Sequence, residues 1–408
     1  MSGANKRGIL IALLVTVFVD LLGVGIVIPV LPILFADPSS GIFDGDVAIQ
    51  TRYIVYGFMA AAFPLAQFFG APILGALSDR YGRKPILAIS LLGTMIGYLL
   101  FAYGVVTGNL WLMFFSRALD GFTGGNISIA FSSIADISDE KTKTKNFGLI
   151  GMAFGVGFVI GPYLGGKLAD PTVVSWFDYA TPFWFAGILS AINLILVFTV
   201  YRETLAEKTA STVSLLSGFM NIGKAFQSKG LRSIFIVSFL FTFGFSFFTQ
   251  FFQIFLNEKF AFTAAEVGDV FAYIGLWIAF TQGFLTRVFS SRFSSVQMMR
   301  ITTLGLAVIF MLLLVPDQRW QLFFVMPFIA IFQGLLSPNA LNIVSAQASP
   351  EEQGEVMGIN QSVASFAQCI PPVVAGYIVT IDYNLPIAVA SGCTALAGVL
   401  FLIFFRGK

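Results

Sequence analysis

The sequence contains no histidine and only two cysteines in 408 residues. Without histidine, the chain lacks the commonest metal ligand and the side chain that usually carries protons near neutral pH. Cys369 and Cys393 both lie within apolar runs, which favours buried thiols over a disulfide or a metal site. We therefore expect no metal and no other cofactor, and a carboxylate is the natural candidate for any proton carrier.

Charged residues are also scarce, at 11% of the chain, whereas 57% of the residues are hydrophobic. A soluble domain contains about 25% charged residues, so most of this surface is not expected to face water. The net charge is only +2 and no basic tract is present, so nucleic acid is not an expected partner. The lipid bilayer is the expected partner instead.

Twelve apolar runs are each long enough to cross a bilayer, which requires about 20 residues per helix. The sequence therefore predicts an all-α membrane protein with twelve transmembrane helices. The first run has no small-residue cleavage site at its end, so we expect no cleavable signal peptide. The runs are numbered here as spans 1 to 12, at residues 8–35, 53–77, 85–106, 110–135, 147–168, 180–201, 232–257, 267–289, 298–316, 320–346, 356–380 and 384–405.

The basic residues predict the orientation of these spans. With a cytoplasmic N-terminus, eighteen lysines and arginines fall on the cytoplasmic side, four fall outside, and Arg117 lies within span 4. Because basic residues are enriched in cytoplasmic loops, this bias places both termini in the cytoplasm. The expected location is a plasma membrane, the inner membrane in a bacterium.

The chain also divides into two similar halves. The longest polar connection, Arg202 to Gly230, separates six spans from six, and a short amphipathic helix is expected in its middle. Span 4 contains "GFTGGN" and span 10 contains "GLLSPN"; "FGLIGM" then matches "MGINQS", and "GP" matches "PP". We predict two pseudo-symmetric six-helix bundles, at 1–201 and 231–408, joined by a cytoplasmic linker at 202–230. This architecture supports alternating access to a site near the middle of the membrane.

The loop between spans 2 and 3 carries the most specific motif. It reads "GALSDRYGRKP" from Gly75 to Pro85, and closely resembles the signature of the major facilitator superfamily. "SRALDGFTGGN" resembles the conserved-arginine motif of that superfamily, and "GFVIGPYLGG" resembles its antiporter motif. "DLLGVGIVIPVLP" in span 1 resembles the drug/proton antiporters, especially the tetracycline/proton exporters, and "YRETL" at Tyr201 fits the end of their sixth helix.

The resemblance implies a cytoplasmic gate. In this family the aspartate and second arginine of the loop join an acid at the inner end of span 4, and the trio bridges to span 11 of the other half. The gate residues it implies here are Gly75, Asp79, Arg80, Gly82, Arg83 and Asp136.

Glycines recur every four residues in span 5. Such spacing lets two helix backbones approach closely, and proline adds a bend. Plain helix packing explains the pattern, and a sealed, bendable contact between the two halves is the functional alternative. The antiporter-motif residues are Gly157, Gly161, Pro162, Gly165 and Gly166.

Apart from residues near the span ends, three charges lie within the spans and form the candidate proton-coupling site: Asp20, Arg117 and Asp120. Arg117 and Asp120 are three residues apart, so they can pair on one helical face. Asp20 has three possible roles: a structural partner of Arg117, a permanently neutral acid bonded to a neighbouring helix, or a group that gains and loses a proton during transport. The third is favoured, because an ionisable residue within a membrane is usually functional. Asp120 is the rival carrier.

The substrate is the least constrained feature. The 47 phenylalanines suit an aromatic-lined cavity for lipophilic compounds, but lipid-facing positions explain many of them equally well. Neutral amides could line the cavity or bond neighbouring helices. The candidate cavity residues are Asn126, Gln250, Gln253, Gln282, Gln333, Asn339 and Gln361.

The favoured function is proton-coupled export of lipophilic or cationic drug-like molecules by a monomer. The alternative is a major facilitator uptake carrier, either a symporter or a uniporter, for a small organic solute. The sequence shows no nucleophile–base pair of the kind that would suggest an enzyme. Relatives that export tetracycline have an acid in span 3, where this chain has Gly97, and a histidine in span 8. Tetracycline itself is therefore not the expected substrate.

Overall fold

The computed structural model describes residues 3–43, 46–138, 140–205, 208, 214, 216–227, 231–346 and 353–405, and these form helices with no β-strand among them. A backbone in lipid has no water to bond, so each spanning segment satisfies its own N–H and C=O groups as a helix. The helices are α1 (Gly3–Ala36), α2 (Ile49–Tyr81), α3 (Arg83–Thr107), α4 (Leu110–Thr123), α5 (Asn126–Ile137), α6 (Glu140–Leu168), α7 (Thr181–Thr199), α8 (Ser217–Gln227), α9 (Arg232–Phe260), α10 (Ala264–Phe280), α11 (Thr286–Ser290), α12 (Ser295–Leu312), α13 (Arg319–Ala346), α14 (Gln353–Ile378) and α15 (Leu385–Phe404).

The twelve predicted spans all fall on helices, and the all-α membrane architecture is confirmed. Within the described residues, nine helical segments are long and apolar enough to cross a membrane, and they correspond to spans 1, 2, 3, 6, 7, 8, 9, 10 and 12. Span 4 is divided into α4 and α5, while spans 5 and 11 correspond to α6 and α14. The linker contains the expected short helix, α8.

The start of several helices is fixed by a side-chain cap. Asn109 accepts a 3.0 Å hydrogen bond from the Leu112 N–H at the start of α4. Thr263 and Glu266 form a capping box at the start of α10, in which each side chain bonds the backbone N–H of the other. These caps satisfy N–H groups that have no partner within the helix.

The chain forms two compact units that do not follow a single cut in the sequence. Unit 1 comprises residues 1–30, 38–46 and 62–218, and unit 2 comprises 31–37, 47–61 and 219–408. Unit 2 therefore contains the Ala36 end of α1 and the Ile49 end of α2 as well as α9 to α15.

The interior of unit 1 is built around α5. Ile129, Ala130 and Ile134 of α5 are completely buried, together with Leu87 of α3 and Val197 of α7. On the outer face of α7, in contrast, large apolar side chains remain exposed, as expected for a surface in contact with lipid. These side chains are Ile188, Ile192 and Ile195.

The interior of unit 2 is built from aromatic rings. Phe252 of α9 is completely buried and stacks on Phe248 with ring centroids 4.7 Å apart. Phe248 also stacks on Phe310 of α12 at 4.7 Å. The phenylalanines of α9 thus form much of the core of this unit, so a lipid-facing position is wrong for these three rings.

Span 8 contains a widened turn. The π turn Thr281–Leu285 joins α10 to α11, and within it the backbone N–H of Thr286 bonds the carbonyl oxygen of Thr281. The Thr286 hydroxyl donates to the same oxygen at 3.0 Å. A π turn holds one residue more than an α-helical turn, and such turns are frequent at functional sites.

Candidate functional site

Asp20 lies within α1, and its side chain is bonded to the neighbouring α5. Nδ2 of Asn126 donates a 2.5 Å hydrogen bond to Oδ1 of Asp20. The Oδ1 of Asn126 accepts a 2.9 Å bond from the Ile127 N–H, so the amide nitrogen is the group that faces Asp20. Asn126 is completely buried, while Asp20 keeps partial exposure. The Asp20 carboxylate thus accepts its hydrogen bond from a neutral donor.

Arg117 is paired with Asp120 and not with Asp20. Its NH1 lies 3.2 Å from Oδ2 of Asp120, one turn along α4, and both side chains are buried. The guanidinium also packs 4.8 Å from the centre of the Phe63 ring. In the described residues Asp20 forms no ion pair. The expected pairing within span 4 is therefore observed, and the alternative in which Asp20 is the ionic partner of Arg117 is not.

Gly97 provides the room for Asp120. A Cβ atom on Gly97 would lie 2.9 Å from the Cβ of Asp120 and 3.3 Å from the Ser116 carbonyl oxygen. The space left by the missing side chain of Gly97 in span 3 is thus occupied by the acid of span 4. Tyr98, the next residue of α3, is buried and interacts electrostatically with both Asp120 and Asp20.

Span 4 is broken between α4 and α5. Gly124 and Gly125 lie between the two helices, and side chains of other helices bond the carbonyl groups of Thr123 and Gly124. Nε2 of Gln67 donates to the Gly124 oxygen at 3.0 Å, and the Ser90 hydroxyl donates to the Thr123 oxygen. Broken helices in transporters form sites for substrate or coupling ions, because they bring backbone polar groups to membrane depth. The "GGN" of span 4 marks this break, whereas hydropathy alone predicts a continuous span.

The motif loop brings three of the predicted gate residues together. NH1 of Arg83 lies 2.5 Å from Oδ1 of Asp79, and its Nε lies 3.2 Å from Oδ2 of Asp136 at the end of α5. Arg83 also donates to the Ser78 hydroxyl at 2.7 Å, and that hydroxyl donates to the Gly75 oxygen at 2.7 Å. The trio implied by the family resemblance thus exists as a bonded network within unit 1.

The remaining two gate residues have other contacts. Arg80 packs over the ring of Tyr81, with 5.4 Å between its guanidinium carbon and the ring centre. Gly82 is the single residue between α2 and α3, and its φ of +114° is readily adopted only by glycine. A Cβ at this position would also lie 2.5 Å from Oε2 of Glu203.

Glu203 is a member of the loop network that sequence reasoning missed. Its carboxylate accepts backbone N–H bonds from Arg83 at 2.9 Å, Lys84 at 3.1 Å, Thr204 at 3.0 Å and Leu205 at 3.0 Å. Partial burial acts to raise the pKa of Glu203, but the four donors outweigh it and hold the pKa below its ordinary value. Glu203 lies within "YRETL", which was recognised as a motif without any role for its acid.

Two hydroxyl groups connect the same segment to α5. The Thr204 hydroxyl donates to Oδ2 of Asp136 at 3.2 Å, and the Tyr201 hydroxyl lies 2.7 Å from the Ser133 hydroxyl. The tyrosine and threonine hydroxyls are also within hydrogen-bond distance of each other, at 3.2 Å. The end of span 6 is therefore bonded both to the start of α3 and to the end of α5.

The glycine stripe of α6 contacts α1. A Cβ on Gly161 would lie 2.7 Å from the Leu22 oxygen, and a Cβ on Gly165 would lie 2.3 Å from the Ile26 oxygen. A Cβ on Gly157 would lie 2.9 Å from the Phe18 oxygen, and Pro162 lies against Gly25. These contacts are all within unit 1 and correspond to helix packing, and the alternative of a contact between the two halves stays a prediction. Gly166 belongs to the same stretch of α6.

The predicted cavity amides of unit 2 mostly bond their own helices. Nε2 of Gln253 donates to the Thr249 oxygen at 2.8 Å, and Nδ2 of Asn339 donates to the Leu335 oxygen at 2.7 Å. Gln333 and Gln361 each bond a serine hydroxyl four residues later, at 3.0 Å and 3.4 Å. The backbone oxygen of Gln250 accepts from Tyr56, and Gln282 is exposed in the π turn. Their role in a cavity stays a prediction. Asn126 differs from all of them, because its partner is a carboxylate of another helix.

A family model described as Major Facilitator Superfamily matches residues 13–316 and 234–408 of this chain. The chain belongs to this superfamily. The match confirms the resemblance read from the motif loop and from span 4, and the chain is a multi-pass membrane transporter, not an enzyme.

Two relatives extend over nearly the whole chain. The tetracycline resistance protein, class C, of Escherichia coli is 30% identical over 403 residues, which cover 98% of this chain and 96% of the relative. The quinolone resistance protein NorA of Staphylococcus aureus is 28% identical over 404 residues, with coverage of 98% and 96%.

Solved structures share the fold. The human organic anion transporter MFSD10 (TETRAN) superimposes with a TM-score of 0.74 at 24% identity, covering 98% of this chain and 100% of that one. The D-xylose–proton symporter superimposes with a TM-score of 0.77 at 15% identity, covering 98% and 99%. The major facilitator fold therefore holds for this chain at full length.

Proposed function

We propose that this major facilitator protein is a proton-coupled antiporter that exports lipophilic or cationic drug-like molecules by alternating access. The observation that carries the proposal is the state of Asp20. It is a partly exposed carboxylate within a spanning helix, bonded to the neutral Asn126 and not neutralised by Arg117. Such a group can exchange a proton without first breaking an ion pair, which suits a carrier.

The direction of transport and the substrate class are supported by the relatives. Two relatives that cover nearly the whole chain are named as tetracycline and quinolone resistance proteins. Resistance by a transporter requires export, so export of drug-like compounds is the function proposed here. The aromatic character of the chain, with 47 phenylalanines, favours lipophilic substrates over sugars.

In the proposed cycle, a proton from outside protonates Asp20 and releases the substrate, and loss of that proton to the cytoplasm restores the site. Each charge that moves inward down 100 mV supplies about 2.3 kcal/mol for the export step. The bonded network of Asp79, Arg83 and Asp136 acts as the cytoplasmic gate, which breaks and re-forms as the halves move. We further propose that the protein acts as a monomer with both termini in the cytoplasm of a bacterial inner membrane.

The deciding experiment uses proteoliposomes with an imposed pH gradient. The probes are the lipophilic cation tetraphenylphosphonium, a fluoroquinolone and tetracycline. The native protein is expected to move at least the cation against its gradient while protons move the other way. Asp20→Asn is expected to reduce this proton-driven transport by about a hundredfold, because the variant cannot bind and release the proton.

Asp317→Asn is the matched control. Its carboxylate is 87% exposed and lies 3.9 Å from Lys259, so its removal is expected to leave transport unchanged. Uphill transport by Asp20→Asn at the native rate would show that the carrier is another group. Accumulation of solute in the same direction as protons would instead identify an uptake symporter.

A further inference from the structure

We infer that Asn126 and α5 transmit the protonation of Asp20 to the motif-loop network. This inference rests on the proposed role of Asp20 as the proton carrier and assigns the element that responds to it. The residues concerned lie in unit 1. Asn126 is the first residue of α5, and Asp136 is the last but one.

The first step is the bond at the start of α5. Asn126 can present only its Nδ2 donor to Asp20, since its Oδ1 is already bonded to the Ile127 N–H. A donor bonds an ionised carboxylate more strongly than a neutral acid, because charge-assisted hydrogen bonds are roughly twice as strong. Protonation of Asp20 therefore weakens the contact that holds the start of α5 against α1.

The second step is the mechanical independence of α5. The break at Gly124 and Gly125 separates α5 from α4, so movement of α5 does not require movement of the Arg117–Asp120 pair. Within α5 the backbone is an uninterrupted helix whose side chains Ile129, Ala130 and Ile134 are completely buried. A packed helix of this kind moves as a unit.

The third step is the far end of α5. Oδ2 of Asp136 accepts bonds from Nε of Arg83 and from the Thr204 hydroxyl, both at 3.2 Å. Ten residues separate Asn126 from Asp136, which corresponds to about 15 Å along a helix. Because α5 is bonded to the proton carrier at one end and to the loop network at the other, a shift of one end changes the bonds at the other. Asn126 is thus a positioning residue for Asp136.

Other ionisable groups around Asp20 do not explain such a link. Asp120 of α4 and Tyr98 of α3 interact electrostatically with Asp20, and Arg117 interacts with Asp120 and Tyr98. None of these three residues belongs to α5. Variants at Asn126 keep all three and remove the hydrogen bond that joins α5 to Asp20.

The test follows the position of the far end of α5 directly and does not depend on transport. Ala135, next to Asp136, is exposed and accepts a cysteine, with Cys369 and Cys393 first changed to serine. The labelling rate of Ala135→Cys by a water-soluble maleimide is measured in acidic and alkaline buffer on purified protein. It is normalised to Ser291→Cys, an exposed position in unit 2.

The normalised rate is expected to change about fivefold between the two buffers in the otherwise native background. In Asn126→Ala and in Asp20→Asn the change is expected to disappear. Ser128→Ala is the matched control, since it removes the 2.7 Å bond to the Gly125 oxygen at the same break without touching Asp20, and it should keep the change. Should Asn126→Ala fail to fold, Asn126→Ser shortens the side chain so that it no longer reaches Asp20, and it carries the same expectation.

A native-sized change in Asn126→Ala or Asn126→Ser overturns the inference, and so does a rate that is independent of pH in the native background. The result is separate from the test of the proposed function. If Asp20→Asn transports normally while the labelling response behaves as expected, the proton-carrier role fails and the link through α5 stands. If transport behaves as proposed but the response ignores Asn126, only the link fails.

Discussion

The interiors of the two units are stabilised by different interactions. In unit 1, polar bonds connect helices, between Asp20 and Asn126 and between Arg83 and Asp136, and Arg117 pairs with Asp120 within α4. In unit 2, stacked rings such as Phe248, Phe252 and Phe310 fill the core, and the amides of its helices mostly bond groups of their own helix. Polar bonds can break and re-form with protonation, whereas ring packing responds to shape alone. Under the proposed function, the groups that gain and lose charge therefore lie in unit 1, and unit 2 is stabilised mainly by ring packing.

The largest effect on stability is expected in the aromatic core. Phe252→Ala should lower the free energy of unfolding by about 4 kcal/mol, because it removes a completely buried ring and leaves a cavity beside Phe248 and Phe271. Denaturant titration in detergent measures the loss. Phe324→Ala is the control, as that ring is 67% exposed in α13 and its removal should cost under about 1 kcal/mol. Equal losses in the two variants would contradict the assignment of α9 to the core.

A somewhat smaller effect is expected from the buried ion pair of unit 1. Asp120→Asn should destabilise the protein by about 3 kcal/mol, since it leaves the Arg117 guanidinium buried without its counter-charge. The double variant Arg117→Met/Asp120→Leu should recover most of that stability while transport stays impaired. If the double variant is as unstable as the single one, the ion pair stabilises unit 1 more than apolar side chains do in the same buried place.

The smallest effect is expected at Glu203, and it depends on pH. The pKa of Glu203 is lower in the folded protein than its ordinary value of 4.5, so its contribution is fully present above that pH and is lost as the pH falls through the folded pKa. Glu203→Gln should therefore be less stable than the native protein at neutral pH, and the difference should shrink in acid. Thermal unfolding across an acid pH series measures it, with Asp317→Asn as the exposed control. A difference in stability between Glu203→Gln and the native protein that grows as the pH falls would contradict this prediction.

The sequence predicted the helices well and the contacts between helices poorly. A bilayer requires long apolar helices, so hydropathy alone located all twelve spans. Arg117 and Asp120 lie on one helix, and their spacing was enough to predict their pairing. The bond between Asn126 and Asp20 is not predictable in this way, because the rotation of one helix against another is not encoded in a local pattern, and the role of Asn126 in a cavity stays a prediction.

Two further features needed the structure for the same reason. The acid of "YRETL" acquires its role only when the end of span 6 meets the start of α3. The glycines of span 5 have a spacing typical of close helix packing, but the spacing does not say which helix is the neighbour, and the neighbour is α1. Local sequence indicates that a residue type suits close contact or bonding, and the partner is decided by tertiary structure.

The widened turn at Thr281–Leu285 has a consequence for the end of span 8 that carries Arg287. The turn holds one residue more than an α-helical turn. If that extra residue shifted along the helix, the residues beyond it would rotate by about 100° about the helix axis. Such a shift would swing Arg287 to a different side of its helix at the cost of exchanging a few backbone bonds. The direction in which the basic end of span 8 presents Arg287 can thus change without unwinding the membrane segment.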